Sequence, residues 1–543
     1  MKKDYVKMLS VLFVSVLLLG ACVSGAGQAV NVGNEDATVA LDVNSGNSSY
    51  EPDETQSAVS VGVSGTPDEL VIVVPSMPVS LDPIGSNDNG SVLVRNNIFD
   101  SLIHLNPATQ QMEPGLAIYW DMPDAWTVNA ELRRGVYFHN GDYFTASDVR
   151  FTFERLAEAP LTRAIVAMIE FVEVHDDYNV TFHLNEPFVP ILNILAANSS
   201  RIVSESAALE LGDAFHESPV GTGPFKLDYV VLGDRVVLTQ NDNFWGGAPQ
   251  LSRITYRVVA EQANRFIEVE TGSADIAMQI APTDIARAEA TEGLALHRGQ
   301  SFSYTYIGFN VMNGPLADAR VRHAINHALD TQAIVEAAFA GTGSLANGPL
   351  SPLSAFTTEL EPFEFDVELA RDLMVQAGYA DGFSVSLLTN AGNQARADVA
   401  EIVQNQLRAI NIEVVISIYE HALFLERTAA GDHDMFVFGT TAANPDPNTL
   451  LYSMFHTDMA GGPGNRMFYS NPEVDRLLDE GRAQLDPDIR KIMYADAQRT
   501  IRDDAPQVFL HQGEELHLSR ANVRNFSATA NGVQWFWQVT FED

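Results

Sequence analysis

The sequence predicts an α/β protein of two lobes, with the second lobe inserted into the first. The chain has 543 residues, enough for two or more domains of ordinary size. Between residues 384 and 438 strand and helix patterns alternate, as they do in a parallel sheet. A strand at Tyr304–Asn310 stops at a break, Asn313-Gly314-Pro315, and a second strand returns at Gln507–Leu510. These two strands are the predicted crossings between the lobes.

The composition is that of a globular protein that works outside the cytoplasm. Apolar residues make up 46% of the chain and aromatic residues 9%, which fits large cores. The formal net charge is −39 at pH 7, and only five of the residues are lysines. Because so acidic a surface repels nucleic acid and anionic membranes, neither is predicted as a partner of the folded part.

The N-terminus has the pattern of a secreted lipoprotein. Residues 1–21 combine a basic start with a short apolar run, which predicts a signal peptide rather than a membrane helix of about 20 residues. The run ends in Leu19-Gly20-Ala21-Cys22, which resembles a bacterial lipobox, so Cys22 is the predicted lipid attachment site. The alternative is a plain secretory peptide with an incidental cysteine. Since Cys22 is the only cysteine, disulfides within the chain are excluded.

Residues 22–65 are predicted to form a lipidated, flexible linker. They are rich in Ser, Gly, Asn and Val, contain no Lys or Arg, and show no hydrophobic period.

The first lobe is predicted to be mainly strands. It opens with the strand Glu69–Val74, which a short helix at Asn97–Leu102 follows. Trp126–Phe138 alternates as two strands, and Thr145 with Asp148 predicts a capping box at the start of a helix. The remaining predicted elements are strands within 225–241, 253–259 and 275–278 and a helix at 262–271.

The second lobe is predicted to alternate helices and strands. A helix begins behind Asp318, because apolar residues then recur at i, i+3, i+4, i+7 and i+8. A helix at Asp366–Gly378 leads to the strand Ser384–Thr389. A further helix at 396–409 and strands at 412–418 and 435–438 follow. Asn471 and Asp486 each precede a proline, which predicts two more helices.

Several short motifs resemble, in chain order, the family 5 extracellular solute-binding proteins of ABC importers. The motifs are Leu81-Asp82-Pro83, residues 132–141 (LRRGVYFHNG), 145–149 (TASDV), 219–225 (PVGTGPF), 321–330 (VRHAINHALD) and 370–379. They run from about residue 69 to residue 510, nearly the whole mature chain.

The resemblance implies a periplasmic-binding-protein-like fold of class II, the Venus flytrap type, with an extra subdomain in lobe one. We place lobe one at 66–309 plus 507–543, with the extra subdomain at about 92–217, and lobe two at 310–506. In this family the ligand lies between the lobes, and the closed protein is presented to the transmembrane subunits of an ABC permease. The resemblance therefore implies a monomeric binding protein, anchored by lipid outside the cytoplasmic membrane.

No catalytic function and no cofactor are predicted. The chain contains no Gly-x-Ser-x-Gly, His-Glu-x-x-His, P-loop or Gly-x-Gly-x-x-Gly signature. His323 and His327 are four residues apart on one helix, a spacing that can hold a metal. The alternative is a solvated helix face, and it is favoured because no third ligand is near in sequence, so no metal site is predicted.

The resemblance places ligand contacts in the loop that follows the strand at 435–438. In peptide-binding relatives this loop begins with Trp and carries an Asp that pairs with the α-amino group of the ligand. Counting back from Asn444 puts Phe438 at the Trp and Thr441 at the Asp. This chain therefore departs from the family at the residue that fixes a free amine. Phe438, Thr440, Thr441 and Asn444 are predicted to contact the ligand, and the alternative is a plain loop at the end of a strand.

Five further residues are predicted to border the ligand. Arg396 stands where some peptide binders carry an arginine for the ligand carboxylate, and surface arginine is the alternative. Ser76 and Met77 follow the first strand and border the cleft by resemblance. Tyr304 lies in the crossing strand. Trp535 either walls the cleft or closes the core of lobe one.

The predicted ligand is a peptide or a peptide-like solute. One alternative is nickel or a metal chelate, against which the scarcity of histidine in the loop argues. Another is a surface sensor that kept the fold and lost transport.

Overall fold

The structure is a computed structural model that describes residues 68–106, 109–312, 314–530, 532 and 534–542. The predicted signal peptide, the linker with Cys22, and Asn313 lie outside the described residues. Within the described ranges, no helix is both long enough and apolar enough to cross a membrane.

Strands dominate the chain up to residue 309. They are β1 (Glu69–Val74), β2 (Ile103–Leu105), β3 (Met112–Pro114), β4 (Ala117–Asp124), β5 (Thr127–Leu132), β6 (Ile169–Asp176), β7 (Asn179–Leu184), β8 (Phe225–Val231), β9 (Arg235–Gln240), β10 (Arg253–Val258), β11 (Ile276–Ala277) and β12 (Leu294–Phe309). The helices are α1 (Asn89–Arg95), α2 (Ala146–Glu158), α3 (Ile191–Leu195), α4 (Glu205–Leu211), α5 (Gln262–Glu270) and α6 (Ile285–Ala290).

Helices and strands alternate over most of the rest. The helices are α7 (Ala319–Ala328), α8 (Thr331–Ala338), α9 (Val367–Gln376), α10 (Gln394–Leu407), α11 (His421–Ala430), α12 (Pro447–Phe455), α13 (Pro472–Ala483) and α14 (Pro487–Asp504). The strands are β13 (Ser344–Leu345), β14 (Phe383–Asn390), β15 (Ile412–Tyr419), β16 (Met435–Thr441), β17 (Gln507–Arg520), β18 (Val523–Arg524) and β19 (Thr540–Phe541).

The parallel strands and the helix starts of lobe two form as predicted. β14 pairs in parallel with both β15 and β16, and α10 and α11 make the helical connections that parallel strands need. Asp318, Asp366, Asn471 and Asp486 accept backbone N–H groups at the starts of α7, α9, α13 and α14. In lobe one, Thr145 and Asp148 form the predicted capping box of α2.

A separate four-stranded antiparallel sheet lies within the range of the predicted extra subdomain. Its strand order is β4-β5-β7-β6, and it has an apolar core of its own that includes Phe153 and Phe182. The exact bounds of the lobes and of this subdomain stay a prediction.

The helix predicted at Asn97–Leu102 is wrong. The helix of this region is α1, which ends at Arg95 and begins behind Asp88, whose carboxylate accepts the Ser91 N–H at 2.9 Å. Asn97 is fully buried, and its side chain accepts the Phe536 N–H at 3.0 Å. The apolar residues after Asn97 therefore pack as a turn against the C-terminal segment.

The second strand predicted within Trp126–Phe138 is also wrong. β5 is regular, but the chain after Leu132 turns through Gly135 at φ 71°. Beyond that turn only an isolated bridge between Tyr137 and Tyr143 forms within the described residues. A glycine in the left-handed region ends the strand. The alternation of apolar and polar residues in the sequence continues past Gly135, which is why a second strand was predicted.

β12 and β17 form a ribbon that joins the two parts of the main sheet. The main sheet has the order β15-β14-β16-β12-β17-β11-β1-β10-β9-β8. The two predicted crossing strands do lie side by side, with Ile307 opposite Val508 and Gly308 opposite Gln507. Both are longer than predicted, and their register shifts between Gln300 and Tyr304 and again between Thr305 and Tyr306.

Gly308 has a packing role in this ribbon. A Cβ atom at Gly308 would lie 2.3 Å from Cζ of Phe436, a contact that real structures do not contain. The aromatic ring of the neighbouring strand therefore occupies the space that a side chain would need. This explains the glycine within an otherwise aromatic and β-branched strand.

Candidate ligand-binding site

The C-terminal end of β16 carries four of the predicted ligand contacts. Phe438 is half-buried, and Thr441 is exposed at the last position of the strand. Thr440 and Thr441 lie opposite Tyr304 and Ser303 of β12. The loop then continues to Asn444, which is buried and whose Oδ1 accepts the Asp446 N–H at 3.0 Å.

The structure brings Arg396 directly against this strand end. The Arg396 Nη1 donates to Asn390 Oδ1 at 2.7 Å, and its Cζ lies 4.7 Å from the centroid of the Phe438 ring. The guanidinium forms no ion pair with any described residue, and burial lowers its pKa. Gly439 leaves room for it, because a Cβ there would lie 2.8 Å from Arg396 Nη2. A planar cation without a carboxylate partner suits a ligand carboxylate.

Thr441 lines a cavity of about 150 Å³ that also touches lobe one. The wall on the side of lobe one is formed by Val74 and Pro75 at the end of β1 and by residues of α1, including Gly90. Ser76 and Met77 lie beside it, where they line a much smaller space together with Gly90. The cavity therefore lies where the end of β1 meets the end of β16.

Trp535 and Asn444 also come together. They line a narrow space of about 30 Å³, which Arg201 of lobe one shares. The Trp535 ring lies 4.7 Å from the ring of His104, centroid to centroid. On its other side Trp535 borders a larger cavity of about 430 Å³ in lobe one, lined also by Trp245. Trp535 thus has one edge near the loop of lobe two and the other within lobe one.

Tyr304 lies apart from these cavities. Its side chain is 1% exposed, and its hydroxyl accepts a hydrogen bond from Gln507 Nε2 at 2.6 Å. The ring stacks on Tyr306 at 5.2 Å, and burial raises the Tyr304 pKa well above its usual value. It therefore packs in an apolar cluster with Phe436 and Phe509, and its predicted contact with the ligand stays a prediction.

His323 and His327 point at backbone rather than at each other. His323 Nε2 is 2.7 Å from the carbonyl of Asp503, and His327 Nδ1 is 2.7 Å from that of Glu364. The Phe363 ring packs against both imidazoles. Among the described residues, no group of three or more His, Cys, Asp or Glu is arranged to hold a metal ion.

Four polar residues of the cavity beside Thr441 were not predicted from the sequence. They are Glu515 and His517 of β17, Gln279, which follows β11, and Asn89 at the start of α1. Glu515 and His517 are two positions apart, so they face the same side of the strand. The sequence shows that Glu515 and His517 are two residues apart. It does not show that they lie near Thr441, because that depends on how the strands pair.

Comparison with known proteins decides the family. Residues 111–462 match the model of the bacterial extracellular solute-binding proteins, family 5. The chain belongs to this family. The glutathione-binding protein GsiB of Pectobacterium atrosepticum is 30% identical to it over 455 residues, which cover 81% of this chain and 88% of that protein.

Solved structures of two peptide complexes resemble this solute-binding protein along most of its length. The Helicobacter pylori periplasmic binding protein DppA, in complex with the peptide STSA, is 27% identical with a TM-score of 0.75 and covers 88% of this chain and 98% of its own. The dipeptide-binding protein of Pseudoalteromonas sp. SM9913, in complex with Met-Leu, is 26% identical with a TM-score of 0.73 and covers 87% and 100%. The two-lobed periplasmic-binding-protein fold predicted from the sequence is confirmed, and the family is that of solute-binding proteins of ABC transporters.

Proposed function

We propose that this protein is a lipid-anchored, extracytoplasmic binding protein that holds a peptide or peptide-like ligand between its lobes and delivers it to an ABC permease. Relatives named for glutathione, for the peptide STSA and for Met-Leu support this ligand class. The observation in this chain that carries the proposal is Arg396. Its half-buried guanidinium lacks an acidic partner among the described residues and faces the end of β16.

Arg396 is proposed to bind the carboxylate of the ligand. Asn390 and the Phe438 ring hold the guanidinium in place without neutralising it. Arginine stays charged in proteins even where burial lowers its pKa, and its paired N–H groups match the two oxygens of a carboxylate. A partly buried arginine that lacks an acidic partner is therefore stabilised when such a ligand binds.

Calorimetric titration with Met-Leu and with glutathione tests this proposal. We expect the wild-type protein to bind at least one of them and Arg396→Ala to weaken that binding by about 30-fold or more, since losing one partner of a buried charge pair costs ~2–5 kcal/mol. Arg408→Ala is the matched control, because Arg408 is exposed at the other end of α10, where its Nη1 donates to Asn405 Oδ1 at 3.4 Å. Amidation of the Met-Leu carboxyl should weaken binding to the wild type but not to Arg396→Ala.

Two results would contradict the proposal. A wild-type protein that binds neither peptide excludes this ligand class, and binding of a nickel–histidine chelate in its place would favour the metal-chelate alternative. Equal affinities of wild type and Arg396→Ala would remove the role assigned to Arg396.

The lipid anchor has a test of its own. We expect Cys22→Ser to move the protein from the membrane fraction to the soluble fraction, because Cys22 is the only cysteine that can receive the lipid. Fractionation with incorporation of labelled palmitate measures this. Membrane retention and labelling unchanged in the variant would refute the lipid attachment.

A further inference from the structure

The cavity beside Thr441 contains one carboxylate among its described lining residues. Glu515 reaches it from β17, and the other polar residues of its described lining are His517, Gln279, Thr441 and Asn89, none of which is an acid or a strong base. Thr441 itself brings only a hydroxyl. The cavity of about 150 Å³ is large enough to take the charged end of a ligand.

The Glu515 carboxylate has no counter-charge from the residues that the structure describes. No described donor forms a hydrogen bond with it, and the nearest ionisable group is His517, with Nε2 3.9 Å from Glu515 Oε2. The Glu515 side chain is 25% exposed, and burial raises its pKa to about 7. Its neighbour Glu514 behaves differently, since Arg298 pairs with it at 2.6 Å.

His517 does not supply the missing charge. Its Nδ1 accepts the backbone N–H of Gln279 at 3.1 Å, which places the remaining proton on Nε2. Burial lowers the pKa of His517 to about 4, so the ring is neutral under ordinary conditions. His297 lies opposite His517 on β12, and burial lowers its pKa as well. The one imidazole that lies near the Glu515 carboxylate, that of His517, therefore carries no charge.

We propose that Glu515 is the anionic group that holds a primary ammonium of the ligand in this cavity. The inference rests on the proposed peptide function and narrows it to peptides or peptide-like molecules with a free amine. A carboxylate removed from water is costly when alone, and an ammonium that enters the cavity supplies both the opposite charge and three N–H donors. The amine of the ligand then lies against β17, and its carboxylate reaches Arg396.

Titration of Met-Leu and of N-acetyl-Met-Leu at pH 7.5 tests the assignment. We expect acetylation to weaken binding to the wild type by about 30-fold or more, because the ammonium pair with Glu515 is lost. Glu515→Gln should weaken the binding of Met-Leu by a similar factor, and this variant should bind Met-Leu and N-acetyl-Met-Leu with equal affinity. Glu514→Gln is the matched control, since Glu514 is the adjacent residue on the opposite face, and it should keep the wild-type preference.

The possible failures are distinguishable. A wild-type protein that binds N-acetyl-Met-Leu as tightly as Met-Leu overturns the role of Glu515, even if Glu515→Gln does not fold. So does a folded Glu515→Gln variant that keeps the preference for the free amine. A wild-type protein that binds neither peptide overturns the proposed function itself, and this inference with it.

Discussion

Asp446→Ala should lower the free energy of unfolding by about 3–5 kcal/mol, because it leaves a buried arginine without its partner. Arg490 donates to both carboxylate oxygens of Asp446 at 2.9 Å, and the two side chains are only 8% and 6% exposed. Asp446 also caps α12 by accepting the Asn448 N–H at 2.9 Å. Asn193 of lobe one donates to the same carboxylate at 3.4 Å.

Denaturant unfolding of the ligand-free protein measures this loss. Asp496→Ala is the matched control, because Asp496 pairs with Arg499 on α14, the helix of Arg490, but both side chains are more than half exposed. Exposed pairs of this kind contribute about 0–1 kcal/mol. Equal losses of unfolding free energy in the two variants would show that the contribution of the Asp446–Arg490 pair does not depend on its burial.

Arg322→Leu is expected to cost a similar amount, about 3–5 kcal/mol, by leaving backbone carbonyls unpaired at both crossings between the lobes. Arg322 is 6% exposed and donates to the carbonyls of Leu316 and Ala317 at 2.9 and 3.0 Å. It also donates to the carbonyls of Asp504 and Ala505, at 2.6 and 3.1 Å. One side chain thus joins the segment after β12 to the segment before β17.

The matched control for Arg322→Leu is a substitution of Arg320, two residues earlier in the same helix. Arg320 is about half exposed and pairs with Asp318 at 2.6 Å, so Arg320→Leu should cost less than about 1 kcal/mol. Hydrogen exchange should also accelerate at Leu316–Ala317 and at Asp504–Ala505 in Arg322→Leu alone. Protection unchanged at both segments would falsify the joining role of Arg322.

The fold of lobe two was more predictable than that of lobe one, for a physical reason. The parallel strand β16 begins with a buried apolar run, β15 alternates inward apolar residues with exposed ones, and side-chain caps such as Asp366 mark where helices begin. In lobe one, the apolar residues after Asn97 have a spacing that resembles a helix. The Asn97 side-chain oxygen, however, accepts a hydrogen bond from the backbone N–H of Phe536, which lies more than 400 residues later in the chain. No local pattern records such a contact.

The same limit applies to the candidate site. Arg396, Phe438 and Thr441 were found because they lie near one strand end in sequence as well as in space. Glu515 was not, because a pair of adjacent acids in a strand looks like a solvated face. What separates Glu515 from Glu514 is that Arg298 on β12 pairs with one and not the other. Tyr304 was singled out from its position in the crossing strand, but burial against Gln507 is invisible in the sequence.

Two register shifts interrupt the ribbon of β12 and β17 where it joins the two parts of the main sheet. Gln300 pairs with Glu514 and Tyr304 with Gln512, so β12 carries the excess there; Thr305 pairs with His511 and Tyr306 with Phe509, so β17 carries it next. Opposed bulges increase local twist while the strands stay paired on either side. We therefore expect the ribbon to resist sliding of its two strands, which stay paired, and to change its twist more easily at the two shifts. A ligand that contacts both Arg396 and Glu515 would then restrain that twist.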